Sequence, residues 1–361
     1  MRWGYVEIFS NNSKTWTAGQ AQLTVAPNSG SFEGIKIVGN QDQAADYLRI
    51  QSGSSDILNI THNGSVSGSA TSTGSFGVLQ LVNYNQGIGD VGSTVFGVDA
   101  AKPGMTGTEN TAIGSNALTD ITSGAGNTAL GREAAMNVTT GGDNVAIGKL
   151  ALATATSPSL NVAIGNEALR LTTTGGSNTA VGRESGYSGT THSGSVFIGE
   201  RAGYSVTTGN ENIAIGHNAM NGGTITGNDN IAIGSEVLDS MTSGTDNIGI
   251  GHQTLTRLTT GASNIALGNN ALGQNTVTGN YNVAIGYLAL GDGKSGNNNV
   301  AIGYAAGRAQ TGVSGSVFIG EDAGRGVSTG QENIAIGKGA MGASTITGDH
   351  NVMIGVGSGD N

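Results

Sequence analysis

Asn144-Val145-Ala146-Ile147-Gly148 is the stretch on which the fold turns. With small changes the phrase returns along most of the chain. Its glycine falls at Gly97, Gly114, Gly131, Gly148, Gly165, Gly182, Gly199, Gly216, Gly234, Gly251, Gly268, Gly286, Gly303, Gly320, Gly337 and Gly355. Each step is seventeen residues, or eighteen at three places. The first position is Asn at Asn110, Asn127, Asn144, Asn161, Asn178, Asn212, Asn230, Asn247, Asn264, Asn282, Asn299, Asn333 and Asn351. It is Ser at Ser93, Ser195 and Ser316. A longer period lies on top: Ser195-Val196-Phe197-Ile198-Gly199 returns seven units later as Ser316-Val317-Phe318-Ile319-Gly320, which reads as a duplicated block. Self-similarity of this kind marks a solenoid, in which each unit packs only on its neighbours.

Within a unit, positions two to four run Thr, Val or Ile, then Ala, then Ile, Leu or Val, the pattern of a short strand. Successive side chains point to opposite faces, and here both faces are apolar, so burial on both sides is expected. The glycine after the strand predicts a fixed bend. Small residues three positions later (Ala117, Ala134, Ala151, Ala168, Ser185, Ala202, Ala219, Ala271) predict a second, shorter strand facing the first. Polar turns follow, as in Thr139-Thr140-Gly141, Thr207-Thr208-Gly209, Thr242-Ser243-Gly244 and Thr259-Thr260-Gly261, and the one-residue insertions are expected there. About sixteen turns stacked at about 4.8 Å give a parallel rod of roughly 75 Å. The Asn column stacks into an amide ladder along its axis, a structural role. If the strand's outer face is also buried, identical chains around an axis are the natural cover, and a homotrimer is expected.

Composition agrees with a thin, repetitive core. Of 361 residues 64 are Gly, 3 are Pro and none is Cys; 11% are charged and 4% aromatic. Glycine does not fall at every third position, which excludes collagen. The net charge of −10 argues against nucleic acid as a partner, because phosphate recognition needs basic patches. No run of eighteen apolar residues exists, so no membrane-spanning helix is expected. Without Cys there is no disulfide, thiol chemistry or Cys-based metal site.

The unit resembles the head repeats of YadA-like trimeric autotransporter adhesins, which also occur in bacteriophage tail fibres. Thr111-Ala112-Ile113-Gly114 with Ala117, and Asn144-Val145-Ala146-Ile147-Gly148 with Ala151, carry the resemblance, which covers about residues 93 to 361. It implies a left-handed parallel β-roll, three chains in one trimer. The family unit is shorter than this one, so a larger cross-section is expected. Met1-Arg2-Trp3-Gly4-Tyr5-Val6-Glu7 lacks the apolar stretch of a signal peptide, and the chain stops directly after a repeat. These features favour a phage tail fibre, located on the virion tail; the alternative is the passenger of a bacterial surface adhesin.

Residues 1–92 differ from the rest. They hold Trp3, Tyr5, Phe9, Trp16, Phe32 and Tyr47. Tyr47-Leu48-Arg49-Ile50-Gln51 and Ile57-Leu58-Asn59-Ile60-Thr61 alternate as strands about a hairpin loop at Ser52–Asp56. Asn63-Gly64 marks another turn, and residues 65–75 read as a Gly/Ser/Thr linker. The region resembles small β-modules ahead of phage-fibre repeats. It is assigned to attachment, to other virion tail proteins, or to capping the open end of the stack.

Catalysis, cofactor and metal are not expected. Lys294-Ser295 after Gly291-Asp292-Gly293 lacks the glycine six residues before the Lys that a phosphate loop requires, since Leu288 stands there. His62, His192, His217, His252 and His350 are scattered, and His217 and His252 are two turns apart. Asp143, Glu211, Asp229, Asp246 and Asp349 form no evident pair for acid–base work. Tyr187 with Tyr204, and Tyr287 with Tyr304, share columns on adjacent turns, where stacked rings could meet sugar faces of a host-surface glycan.

Overall fold

The computed structural model describes residues 48–52, 55–60, 66–67, 92–101, 104–292, 295–342 and 345–359. The aromatic cluster from Trp3 to Tyr47, the Asn63-Gly64 turn and Lys294 lie outside them, as does all of the 65–75 linker except residues 66–67. The chain divides into two units, Met1–Gln80 and Leu81–Asn361. In the first, β1 (Leu48–Ser52), β2 (Ser55–Ile60) and β3 (Val66–Ser67) form an antiparallel sheet in that order. β1 and β2 are the two alternating segments of the sequence, paired from Leu48↔Ile60 to Ser52↔Ser55 with a shift after Ile50.

The second unit is a β-solenoid. Sixteen three-residue strands, β4 (Thr94–Phe96) to β19 (Val352–Ile354), form one parallel sheet in strict chain order, about fifteen turns long. Neighbouring strands pair in register: Val145↔Val162, Ala146↔Ala163, Ile147↔Ile164. β-Branched residues at positions two and four favour the extended chain, and the glycine ends it at once. All three eighteen-residue turns carry an isolated parallel bridge to the turn before: Val206↔Ile225, Leu258↔Val277 and Val327↔Ile346.

The repeat glycine is required by its surroundings. At Gly131 φ is +139°, and a Cβ there would stand 2.6 Å from the carbonyl oxygen of Gly148 on the next turn. The backbones of successive turns pass too closely for a side chain.

The second strand expected from the sequence is absent. Residues after the glycine form a run of turns in which left-handed residues alternate with ordinary ones: Glu133 (φ 59°) and Ala135 (48°), Leu150 (60°) and Leu152 (52°). Their backbone bonds run from turn to turn, as from Leu152 N to Ala168 O (2.9 Å) and Thr154 N to Arg170 O (3.1 Å). The reason is packing. Ala151 and Leu152 are consecutive and both fully buried, which a strand, with its alternating faces, cannot achieve. The left-handed residue swings both inward.

The core is a set of columns: the Asn, the middle Ala of the strand, the small residue, the Leu or Met after it, and a fifth column that includes Ile121, Val138, Val206 and Leu258. Where the strand's Ala becomes Phe197, glycines Gly186 and Gly203 replace the Leu on its own and the preceding turn. A Cβ on Gly186 would lie 2.7 Å from the Phe197 ring. The duplicated block repeats the exchange with Phe318, Gly307 and Gly324. Large and small trade places at constant volume.

The outer face of the sheet departs from the expectation of burial on both sides. Within one chain the residues at positions two and four remain partly exposed along the rod, as at Ile198 (40%), and most exposed on the two end strands, at Phe96 (63%) and Ile354 (68%).

The residue before each Asn is also left-handed. Leu160 has φ 61° and is exposed, while Gly126, Gly194 and Gly315 hold the same place at φ 70°, 69° and 69°. Leu160→Gly is expected to stabilise the rod by about 0.5–1 kcal/mol, the left-handed penalty less the entropy of glycine, read as a higher urea midpoint.

Candidate functional site

The Asn column is the polar centre of the rod. Positions one and three of the strand share the inward face, so the amide enters a core of Ala and Leu. It must find partners there. Asn144 N and Nδ2 both donate to Asn127 Oδ1 (3.1 and 2.9 Å), and Nδ2 also donates to Pro158 O on the following turn (2.8 Å). The same set recurs at Asn127, Asn161, Asn178, Asn230, Asn247, Asn264, Asn282 and Asn299. Asn110, Asn178, Asn212 and Asn333 are equally buried, and Asn351 is half-buried.

Ser195 interrupts the ladder, because its hydroxyl is too short to replace an amide. Asn178 Oδ1 accepts instead from the Nδ1–H of His192 (2.9 Å), a tautomer assigned by that contact. The ring is wholly buried, edge-on to Phe197 at 5.4 Å and 77°, and burial pulls its pKa down to about 4. At the equivalent turn of the duplicated block Val313 takes its place. An unfolded chain protonates this His near pH 6.5 and the folded one does not. Folding therefore loses stability as pH falls from about 6.5 to 4, by about 3 kcal/mol in all. His192→Val is expected to lose about 3 kcal/mol less stability than the parent between about pH 6.5 and 4, read from urea unfolding at the two pH values, since the carboxylates of the two chains are identical.

Two further ladders were missed in the sequence. Two residues before the Asn, side-chain oxygens cap backbone N–H groups of the preceding turn. Asn210 N donates to Asn228 Oδ1 (2.8 Å), Asn280 N to Asn297 Oδ1 (2.8 Å), Ser314 N to Gln331 Oε1 (2.7 Å) and Gln331 N to Asp349 Oδ1 (2.7 Å). The signal was a column of short acceptors at constant offset. In the polar turn, Thr139 Oγ1 donates to Thr156 O (2.9 Å) and Thr173 Oγ1 to Thr190 O (2.9 Å). Those threonines hold turns together.

The two tyrosine pairs part company. Tyr187 and Tyr204 stack at 4.9 Å and 7°. The Arg170 guanidinium lies over Tyr187 at 5.7 Å and that of Arg201 over Tyr204 at 4.5 Å. Each ring thus carries a guanidinium against it. Glu167 and Glu184 hold these arginines (2.9 and 3.2 Å), and Arg183 joins the lattice to Glu200, which lowers the Glu200 pKa. Tyr287 and Tyr304 stack at 5.4 Å and 19° and are 44% and 53% exposed. They stand just beyond the repeat glycine, on the border of the apolar sheet face.

Among the described residues no three His, Asp or Glu side chains gather to hold a metal ion. Ser235 stands on the turn between His217 and His252. No helix among them is long and apolar enough to cross a membrane. An interior cavity of about 10 Å³, lined by Leu272, Leu290, Gln310 and Val313 among others, has room for about one water.

Compared with protein-family models, curated proteins and solved structures, the chain matches none. What fold and surface define together is a single-sheet β-solenoid with an apolar outer face.

Proposed function

We infer that this chain is the shaft of a homotrimeric fibre, a spacer that carries a contact to a cell surface, and that it serves in a bacteriophage tail. One observation carries the reading: two parallel columns left partly exposed along sixteen strands, one of Val or Ile with Thr on four strands and one of Ile, Leu, Val or Phe. At about 4.8 Å per strand and about 10 Å across, the face covers on the order of 700 Å². Monomers seldom expose so long an apolar patch. It is close to the roughly 800 Å² per partner of a stable interface. The resemblance of the unit to YadA-like head repeats supports three copies around one axis. It also supports the second reading, a bacterial surface adhesin. Recovery of the protein from purified virions favours the phage reading; recovery from bacterial outer surfaces favours the other.

Light scattering on the purified chain is the test. A β-rich species of about 107 kDa, three times 35.8 kDa, is expected. A monomer would overturn the fibre assembly.

A further inference from the structure

The sheet face has two borders. The residue before each Asn forms a leading column, and the residue after each repeat glycine forms a trailing column. Within one turn they are six residues apart, at most roughly 20 Å, with the three-residue strand between them. Among the described residues no ion pair joins the two columns within a turn. Yet the two columns are matched turn by turn. Asp143 shares its turn with Lys149, Glu211 with His217, Asp246 with His252 and Glu332 with Lys338. The trailing acids Glu200 and Glu321 share theirs with Gly194 and Gly315, and Arg132 and Arg183 share theirs with Gly126 and Ser177. The leading acids Glu109 and Asp229 face Ser115 and Ser235. No turn carries like charges on both borders. Tyr281 shares its turn with Tyr287, so the match extends to aromatic rings.

All members of these four pairs are exposed. Among the described residues, Asp143, Lys149, Glu211 and Asp246 have no ion-pair partner in their own chain. Glu332 and Lys338 have only exposed pairs within their own columns, to His350 and Glu321 (both 3.0 Å).

We propose that the borders form a latch between copies of this chain, the leading column of one meeting the trailing column of the next at the same height. This rests on the fibre reading and adds the geometry of its contact. Rotation about an axis along the rod shifts nothing along it. Cyclic symmetry therefore brings leading to trailing border turn for turn, Asp143 to Lys149 and Glu211 to His217. An antiparallel two-fold pairing brings like border to like border in reversed order. Glu109 then meets Glu332 and Glu211 meets Asp229, both repulsive, which offsets the attraction of Arg132 for Glu321 and of Glu200 for His252; the parallel pairing has attractive matches and no repulsive one. The apolar columns supply area and fit any register that keeps them covered, because they repeat every turn. The charged borders do not repeat, so they select one register and one direction.

The absence of native Cys makes the test clean. Asp143→Cys with Lys149→Cys, treated with a short bismaleimide, is expected to give covalent trimer on a denaturing gel. Asp143→Cys with Glu200→Cys, three turns apart or about 14 Å along the rod, is the out-of-register control. The in-register pair should exceed it by about tenfold or more, since linkage depends on effective concentration. Glu332→Cys with Lys338→Cys repeats the test at the far end and serves if the first pair fails to fold. A parent chain that is monomeric by light scattering overturns both latch and fibre. An oligomeric parent whose two in-register pairs link no better than the control overturns the latch alone.

Discussion

Asn247→Ala is expected to lower the stability of the solenoid by about 3–5 kcal/mol, at about 1–3 kcal/mol for each buried group left unpaired. The amide is bonded on both sides. Its Nδ2 donates to Asn230 Oδ1 (3.0 Å), Thr245 O (3.0 Å) and Gly261 O (2.9 Å), and its Oδ1 accepts from Asn264 N (3.0 Å) and Nδ2 (3.1 Å). Alanine leaves the Gly261 carbonyl and the Asn264 N–H without their partners in a site closed to water. The chain contains its own milder variant. At Ser195 the hydroxyl still accepts from Asn212 N (3.2 Å), and at Ser316 from Asn333 N (3.0 Å). Asn247→Ser should therefore cost less, about 1–2 kcal/mol, because one lost bond is restored. Urea unfolding followed by circular dichroism separates the two. Equal losses for Ala and Ser would mean that the ladder stabilises through packing and not through its hydrogen bonds.

Gly268→Ala should be as damaging for a different reason. Its φ is +125°, and a new Cβ would stand 2.7 Å from the carbonyl oxygen of Gly286. Relief requires opening the spacing between two turns whose strands are hydrogen-bonded on either side. A loss of at least about 4 kcal/mol is expected, in the range of severe backbone and packing defects. Gly355 separates the two contributions, because at φ +127° its Cβ would meet nothing within 4 Å. Gly355→Ala should show only the backbone strain, about 1–3 kcal/mol. If both alanines cost the same, close approach of turns is not what selects glycine.

The contrast between what the sequence revealed and what it hid follows one rule. Strand, glycine and Asn were legible because each depends on its own column, and a column repeats. Val145, Ala146 and Ile147 announce an extended segment, and Gly148 its end. The arc from Lys149 to Ala155 was misread because its shape depends on alternating left-handed residues. Leu150, Leu152 and Leu160 all occupy that conformation (φ 60°, 52° and 61°), and leucine does not advertise it. Two adjacent buried residues, Ala151 and Leu152, were the clue against a strand. The buried role of His192 was hidden in the sequence for a related reason. Nothing local marks it as the stand-in donor for Asn178; the gap it fills is created by Ser195, three residues on. The tyrosine pairs lie in different columns, five residues after the repeat glycine against one, but the guanidinium groups of Arg170 and Arg201 on the first pair show only in the structure.

The seven-unit duplication has a consequence for how such a rod changes length. Each turn rests on its immediate neighbours, and the surface it offers upward is the surface it accepts from below. A whole turn inserted or deleted leaves no seam. The seven-unit copy lengthened the rod by about 34 Å at about 4.8 Å per strand without any new kind of contact. The Phe197 and Phe318 turns are the exceptions. Each needs a glycine on the preceding turn, Gly186 or Gly307, and they travel only with that companion. Reach is thus a quantity that recombination can adjust in steps of one turn, everywhere except at those two joints.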